Sequence, residues 1–310
     1  MKIGIYKDTL KNKRGADVAV ANLAAGLKER GHEAVLFEKG ELKARVAEKW
    51  DVMVITGTNE LLDLAEEFPE KFPWPTVMQF HTNPSYQFKW KRWRRNLKIK
   101  RALRSVQAIQ ILREAFRGQV EKYGTKVETI GNFSMMESKN AGESEKTIIY
   151  PAAWNKDKNQ PMLIKAFEKA RKQFSEWTLE LYGGGKVPEK LPDGVKAMGF
   201  CDLTEAYGKC AFVAFPSLDE GFGLVIADAA KFGKPCVMVE DWIGTVKAGG
   251  GVLTGKRAGA YAEGLKKLMG DAAAREAMGA KAREFCEREY SREAILDKWE
   301  RLLKEVVNGR

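Results

Sequence analysis

Short apolar runs alternate with longer amphipathic ones along most of this chain. Segments 2–6, 34–37, 51–55, 76–80, 106–112 and 127–130 are brief and rich in branched or aromatic side chains, the mark of strands buried on both faces. Helical periodicity fills the intervals at about 16–30, 60–71 and 114–123. A polar, small, aperiodic stretch at 132–146 then reads as a linker. Beyond it the alternation resumes with strands at 147–151, 178–182, 195–200 and 211–215. A helix between the first two carries Leu163, Phe167, Ala170 and Phe174 on one face. The chain closes in helices, and Ile295, Trp299, Leu302, Leu303 and Val306 stripe the last one. Strands alternating with helices imply right-handed crossovers and a parallel, doubly wound sheet. Two such series predict an α/β protein of two Rossmann-like domains, 1–133 and 134–290.

The densest chemistry lies in the stretch from Pro216 to Val237. After the strand ending at Phe215 come Glu220, Gly221, Phe222 and Gly223, then a run apolar on every side from Leu224 to Ala230, interrupted by Asp228. A helix apolar all round belongs inside a protein, and an unpartnered carboxylate there costs several kcal/mol. With the helix starting at Glu220, the two acids lie about 12 Å apart along its axis. An acid and glycine amides at a helix N-terminus, with a second acid further in, suit a phosphorylated sugar: the amides take phosphate and the acids take hydroxyls. The plainer alternative is a dipole-favouring acid plus a core acid satisfied by a lysine.

Between Tyr86 and Arg104 the pattern changes. Tyr86, Trp90, Trp93 and Leu97 recur at helical spacing among Arg92, Arg94, Arg95, Lys98 and further cations. Such a helix suits an anionic membrane surface or anionic acceptor. It also fits single-stranded nucleic acid, or a solvated surface helix with its aromatic stripe turned to the core. Charge agrees with an anionic partner for this half: residues 1–135 hold 25 Lys+Arg against 16 Asp+Glu, or +9 of the total +11. No apolar run nears the roughly 18 residues of a membrane span. The four cysteines form no Cys-x-x-Cys pair, which favours packing thiols in a reducing compartment over metal binding. Of two histidines, His81 falls just past the end of a predicted strand, where open α/β sheets place ligands.

Taken together, these residues resemble retaining glycosyltransferases of family 4. The likeness rests on Glu220-Gly-Phe-Gly-Leu with an acid eight residues on, the run ending Phe232-Gly-Lys-Pro-Cys-Val, Lys158-Asn-Gln-Pro-Met-Leu, Leu181-Tyr-Gly-Gly-Gly and Arg30-Gly-His-Glu. The resemblance implies a GT-B fold, two Rossmann-like domains facing across a cleft. The first binds the acceptor, the second a nucleoside-diphosphate-sugar (UDP as the nucleotide), and a terminal helix at 291–310 packs back on the first. It implies catalytic roles for Glu220, His81 and Lys158. Donor contacts would come from Gly15, Lys158, Gly183, Gly184, Phe200, Glu220, Gly221, Phe222, Gly223, Leu224 and Asp228, with no metal or other cofactor. The basic stretch, with Trp90, Arg92, Trp93, Arg94, Arg95 and Lys98, would meet an anionic lipid surface or a lipid-linked or phosphorylated glycan such as lipopolysaccharide core, rather than nucleic acid. The expected location is the cytoplasmic face of the plasma membrane. Two positions depart from the family: Asp228 stands where Glu is usual, and Ala153 where an Arg is usual five residues before the lysine. The alternative readings are a catalytically weak or inactive sugar-nucleotide binder of the same fold, or a nucleic-acid-binding protein using the Trp/Arg-rich stretch.

Overall fold

The computed structural model describes residues 1–10, 15–87, 92–138 and 145–309. The chain divides into two compact units, Met1–Phe133 with Arg292–Arg310, and Ser134–Ser291.

In the first unit, β1 (Lys2–Lys7), β2 (Glu33–Glu38), β3 (Val52–Ile55), β4 (Thr76–Gln79), β5 (Ala108–Ile111) and β6 (Lys126–Thr129) form one sheet in the order β2-β1-β3-β4-β5-β6. Every pair is parallel, with Ile3 opposite Ala34 and Val52. Crossovers run through α1 (Gly15–Glu29), α2 (Leu42–Arg45), α3 (Thr58–Glu67), α4 (Trp93–Ala102) and α5 (Arg117–Val120). Strands β3, β4 and β5 are buried at every residue, which is why they read as unbroken apolar runs. The predicted helix at 114–123 is instead one α-turn between two short 3₁₀ segments.

The second unit repeats the plan with β7 (Thr147–Pro151), β8 (Thr178–Tyr182), β9 (Val195–Gly199), β10 (Phe212–Phe215), β11 (Cys236–Met238) and β12 (Gly251–Leu253), ordered β12-β11-β10-β7-β8-β9 and all parallel. Its helices are α6 (Gln160–Arg171), α7 (Thr204–Lys209), α8 (Leu224–Lys231), α9 (Ala258–Gly270) and α10 (Ala272–Tyr290). Strand order reverses between β1 and β3 in one sheet and between β7 and β10 in the other. Loops diverge at such reversals and leave a crevice at the carboxyl ends of the strands.

Helix α11 (Arg292–Asn308) belongs to the first unit. Its whole predicted stripe is buried, Ile295, Trp299, Leu302, Leu303 and Val306 together with Leu296. Gly26 of α1 lets it come close, since a Cβ there would stand 2.8 Å from the Leu296 methyls. Arg30 to Asp297 at 2.5 Å and His32 to Glu300 at 2.9 Å hold the edge.

Candidate active site

At the reversal point of the second sheet, the loops leaving β7 and β10 are stitched together. Asn155 caps the turn after β7, its side-chain oxygen accepting the N–H groups of Asp157 and Lys158. Asn159 then takes a left-handed conformation at φ 58, the one non-glycine residue with positive φ among the described residues; Asn tolerates that region because its short polar side chain bonds locally. The Leu218 N–H donates to the Asp157 carbonyl at 2.8 Å. The buried Tyr150 hydroxyl sits 2.9 Å from the Lys158 carbonyl and 2.8 Å from Ser217 Oγ. These contacts bring Lys158 Nζ to 2.5 Å from Glu220 Oε1, with side chains 24% and 12% exposed, so the pair is reachable from solvent.

Helix α8 begins at Leu224, not at Glu220. Gly223 is its N-cap in the left-handed region at φ 101, so the chain turns there and Glu220 stands in the loop before the helix. The predicted 12 Å axial spacing therefore does not apply. The N–H groups of Gly221, Phe222 and Gly223 find no acceptor among the described residues, leaving donors at the positive end of the helix. Phe222 differs from Gly221 in that its side chain is core, edge-on to Tyr290 at 5.0 Å. Leu224 is half-buried.

Asp228 lies one turn into α8 and lines a pocket of about 210 Å³ with Ala153, Tyr182, Gly183, Phe200 and Val225. Burial raises its carboxyl to about 6, opposed by a hydrogen bond from Ser134. Phe200 is 85% exposed, a free aromatic face at the pocket edge. Gly183 has φ 116, and a Cβ there would stand 2.6 Å from the Ala152 carbonyl, whereas Gly184 faces open space. The two acids are thus held apart: Asp228 in the pocket, Glu220 on Lys158 outside its lining. Ala153 is exposed and so is Lys156, while Arg14 lies outside the described residues.

In the first unit, His81 follows β4 with both ring nitrogens buried and unpartnered among the described residues. Burial, then the charge of Lys7, lowers it to about 3, so the imidazole is neutral at any ordinary pH. At the carboxyl ends of β1 and β3, Lys7 Nζ lies 2.7 Å from Asp8 and 3.1 Å from Glu60, and Glu60 also accepts the Asp8 N–H at 3.1 Å. This buried acid at a helix start was missed from sequence, as were Tyr150, Ser217 and Asn159. The available signal was a charged residue in the first turn of a helix opening at a sheet reversal. Gly15 is the first residue of α1.

Among the described residues of the basic stretch, Tyr86 ends a short 3₁₀ turn and α4 begins at Trp93, while Trp90 lies outside the described residues. Tyr86, Trp93 and Leu97 are exposed at 48%, 59% and 56%, while Ile99 and Ala102 seat α4 on the core. Tyr86, Trp93 and Leu97 therefore do not face the core. Arg92, Arg94 and Lys98 are exposed. Arg95 is not free for a partner in the same way: it donates to Thr58 Oγ1 and Asn59 Oδ1, both at 2.8 Å, and to the Gln87 carbonyl.

Residues 145–271 match the family model described as glycosyl transferases group 1. An exopolysaccharide phosphotransferase of Streptomyces coelicolor is 29% identical over 53% of this chain. The chain spans only about a fifth of that relative's length. Among solved structures, Anabaena HepE in complex with UDP and glucose superposes with a TM-score of 0.77 at 18% identity, covering 98% of this chain and 99% of that one. Sucrose-phosphate synthase from Thermosynechococcus elongatus gives 0.79 at 16% identity, covering 99% of each. Two parallel six-stranded sheets with these likenesses are the GT-B architecture.

Proposed function

We propose that this chain, whose fold is that of the GT-B glycosyltransferases, is itself a glycosyltransferase that moves a sugar from a UDP-sugar to an envelope glycan or lipid-linked acceptor with retention of configuration. The observation that carries the reading is the convergence at one sheet reversal of Lys158, Glu220 and the unpartnered amides of Gly221 to Gly223, next to the pocket holding Asp228. In this reading Asp228 accepts from the ribose hydroxyls and Phe200 stacks on the base. Lys158 swings from Glu220 to the diphosphate, and the amides before α8 take the remaining charge. Glu220, released, accepts from hydroxyls of the transferred sugar. The bond from the anomeric carbon to the phosphate oxygen breaks as the acceptor oxygen bonds to that carbon, and the acceptor proton leaves on the departing phosphate. Neutral His81 orients the reacting sugar. Lysine and amides carry the leaving charge, so the proposed chemistry does not call on a metal. The UDP choice is supported by HepE, solved with UDP and glucose.

The exposed Trp93 and Leu97 among Arg92, Arg94 and Lys98 support peripheral attachment to an anionic membrane, on the cytoplasmic face where sugar nucleotides are made. No described helix is long and apolar enough to cross a membrane.

The test is release of nucleotide from UDP-, GDP- and ADP-sugars. Turnover with a UDP-sugar, falling at least a hundredfold in Glu220→Gln, is expected. Absence of both binding and release for every donor sinks the proposal. Binding of a donor with no release under any acceptor leaves the second reading, a sugar-nucleotide binder, which Ala153 in place of the family's Arg favours.

A further inference from the structure

Helices α3 and α4 part at their C-terminal ends over a pocket of about 230 Å³ in the first unit, remote in sequence from every residue given a donor role above. Its walls are largely apolar, Leu62, Ala65, Phe68 and Phe72, with Ser105 the one neutral polar side chain; Phe72 is 3% exposed and the other three pack on the same core. Two cations, Lys98 and Arg101, stand at its rim, with Glu66 as the one acid in the lining. Neither cation has an acidic partner among the described residues, and no Asp or Glu occurs between Arg92 and Arg104. Leu97, on the same helix and one residue before Lys98, is exposed, as is Trp93 one turn earlier. The apolar interior thus opens beneath a cationic rim and continues into an exposed apolar stripe.

A void of this size holds roughly seven to eight liquid-water volumes, yet its walls give a water cluster few partners. A hydrocarbon segment matches the Leu62, Ala65, Phe68 and Phe72 lining. Cations left without acids at its mouth complement a phosphate attached to that segment. We propose that this pocket takes one hydrocarbon chain of an anionic membrane phospholipid, with its phosphate held between Lys98 and Arg101. The exposed stripe of α4 then lies along the remaining lipid. The inference rests on the membrane part of the functional reading and not on sugar transfer. It adds to surface attraction a single stoichiometric site.

Decyl phosphate, kept below its micelle-forming concentration and titrated calorimetrically into the full-length protein, is the probe. One saturable site is expected. Ala65→Trp, which plugs the pocket and alters no charge, should weaken binding at least tenfold, and so should the Lys98→Gln/Arg101→Gln pair. Decyl maltoside and inorganic phosphate should each bind at least tenfold more weakly than decyl phosphate. Equal affinity in Ala65→Trp, equal affinity for the neutral detergent, or multi-site uptake overturns the proposal. Should Ala65→Trp fail to fold, a photoreactive decyl phosphate on the unaltered protein decides: labelling at residues 62–72 and 98–105 supports the site, and labelling elsewhere removes it. Flotation with anionic vesicles separates the two readings. Vesicle binding that survives in Ala65→Trp while decyl phosphate binding was never saturable removes the pocket and keeps the membrane. Saturable decyl phosphate binding without flotation removes surface attachment instead.

Discussion

Burial holds the Asp228 carboxyl at about 6 against an ordinary 3.8, so near neutrality the folded protein carries an ionised carboxylate in a confined pocket. The sign follows from the raised value. Relative to the unfolded chain, the group favours folding below pH 3.8 and loses that contribution as pH rises to about 6, a difference of about 3 kcal/mol at most. Asp228→Asn should therefore stabilise the second unit at pH 7.5 by about 1–3 kcal/mol in urea unfolding and do little at pH 4. A diol donating two hydrogen bonds prefers the ionised form. Affinity for UDP-glucose, whose phosphates do not titrate in this range, should rise from pH 5 and level off above about 6. In Asp228→Asn it should be flat, and about ten- to a hundredfold weaker at pH 7.5, since hydrogen bonds to a charged acceptor contribute about 1.5–3 kcal/mol. A pH-independent affinity in the unaltered protein argues that Asp228 does not touch the ligand. Asp228 was legible in sequence as an anomaly, an acid in an apolar run. Its separation from Glu220 was not, because Gly223 at φ 101 breaks the helix one turn later than periodicity suggests. Nor could Tyr150, Ser217 and Asn159 be read as partners of the site: their contacts join positions about sixty residues apart, and nothing local in the pattern marks them.

At the scale of elements, α4 shows what amphipathic spacing can and cannot reveal. Of the predicted stripe only Trp93 and Leu97 lie on α4, Tyr86 falling in a separate turn and Trp90 outside the described residues, and sequence left open whether the stripe faced core or solvent. The answer lies in Ile99 and Ala102, the two buried residues of α4, so the helix makes a narrow seam with α3 and the core of the first unit. Arg95 adds the second attachment, reaching Thr58 and Asn59 at the start of α3. Charge on α4 therefore divides by position. Arg95→Ala should loosen the helix by about 1–2 kcal/mol, given charged hydrogen bonds in a half-exposed setting, seen as faster amide exchange across α4. Arg94→Ala and Lys98→Ala should leave exchange unchanged, and each should weaken attachment to anionic vesicles by about 1 kcal/mol. A uniform effect of all three on exchange argues that α4 is held by its whole basic face, not by one residue. Strands gave less trouble, since full burial writes itself as an apolar run; β11 and β12, at three residues each, were too short to carry any such signal.

At the scale of the molecule, the first unit is completed by the last nineteen residues of the chain, 292–310. Six side chains of α11 are buried there, Trp299 among them at 2% exposure and Leu303 at 0%. Each apolar side chain of this kind contributes about 1.5–3 kcal/mol on burial, so their sum reaches or exceeds the 5–15 kcal/mol by which a whole domain is stable. The Arg30–Asp297 pair at its edge has a largely exposed carboxylate and adds little by comparison. A chain ending at Ser291 should therefore lose the cooperative unfolding of the first unit, with β1 to β4 exchanging amides at unfolded-like rates. The second unit keeps its own sheet, its own core and every helix from α6 to α10, and its unfolding transition should survive within about 1 kcal/mol. Peptide-level hydrogen exchange along a urea series reads both at once. Retained protection of β3 and β4 in the shortened chain would show that α1 and α3 alone close that core. Because the proposed donor contacts, apart from Gly15, His81 and the acceptor side, lie wholly in the second unit, UDP-glucose should still bind the shortened chain while transfer is lost.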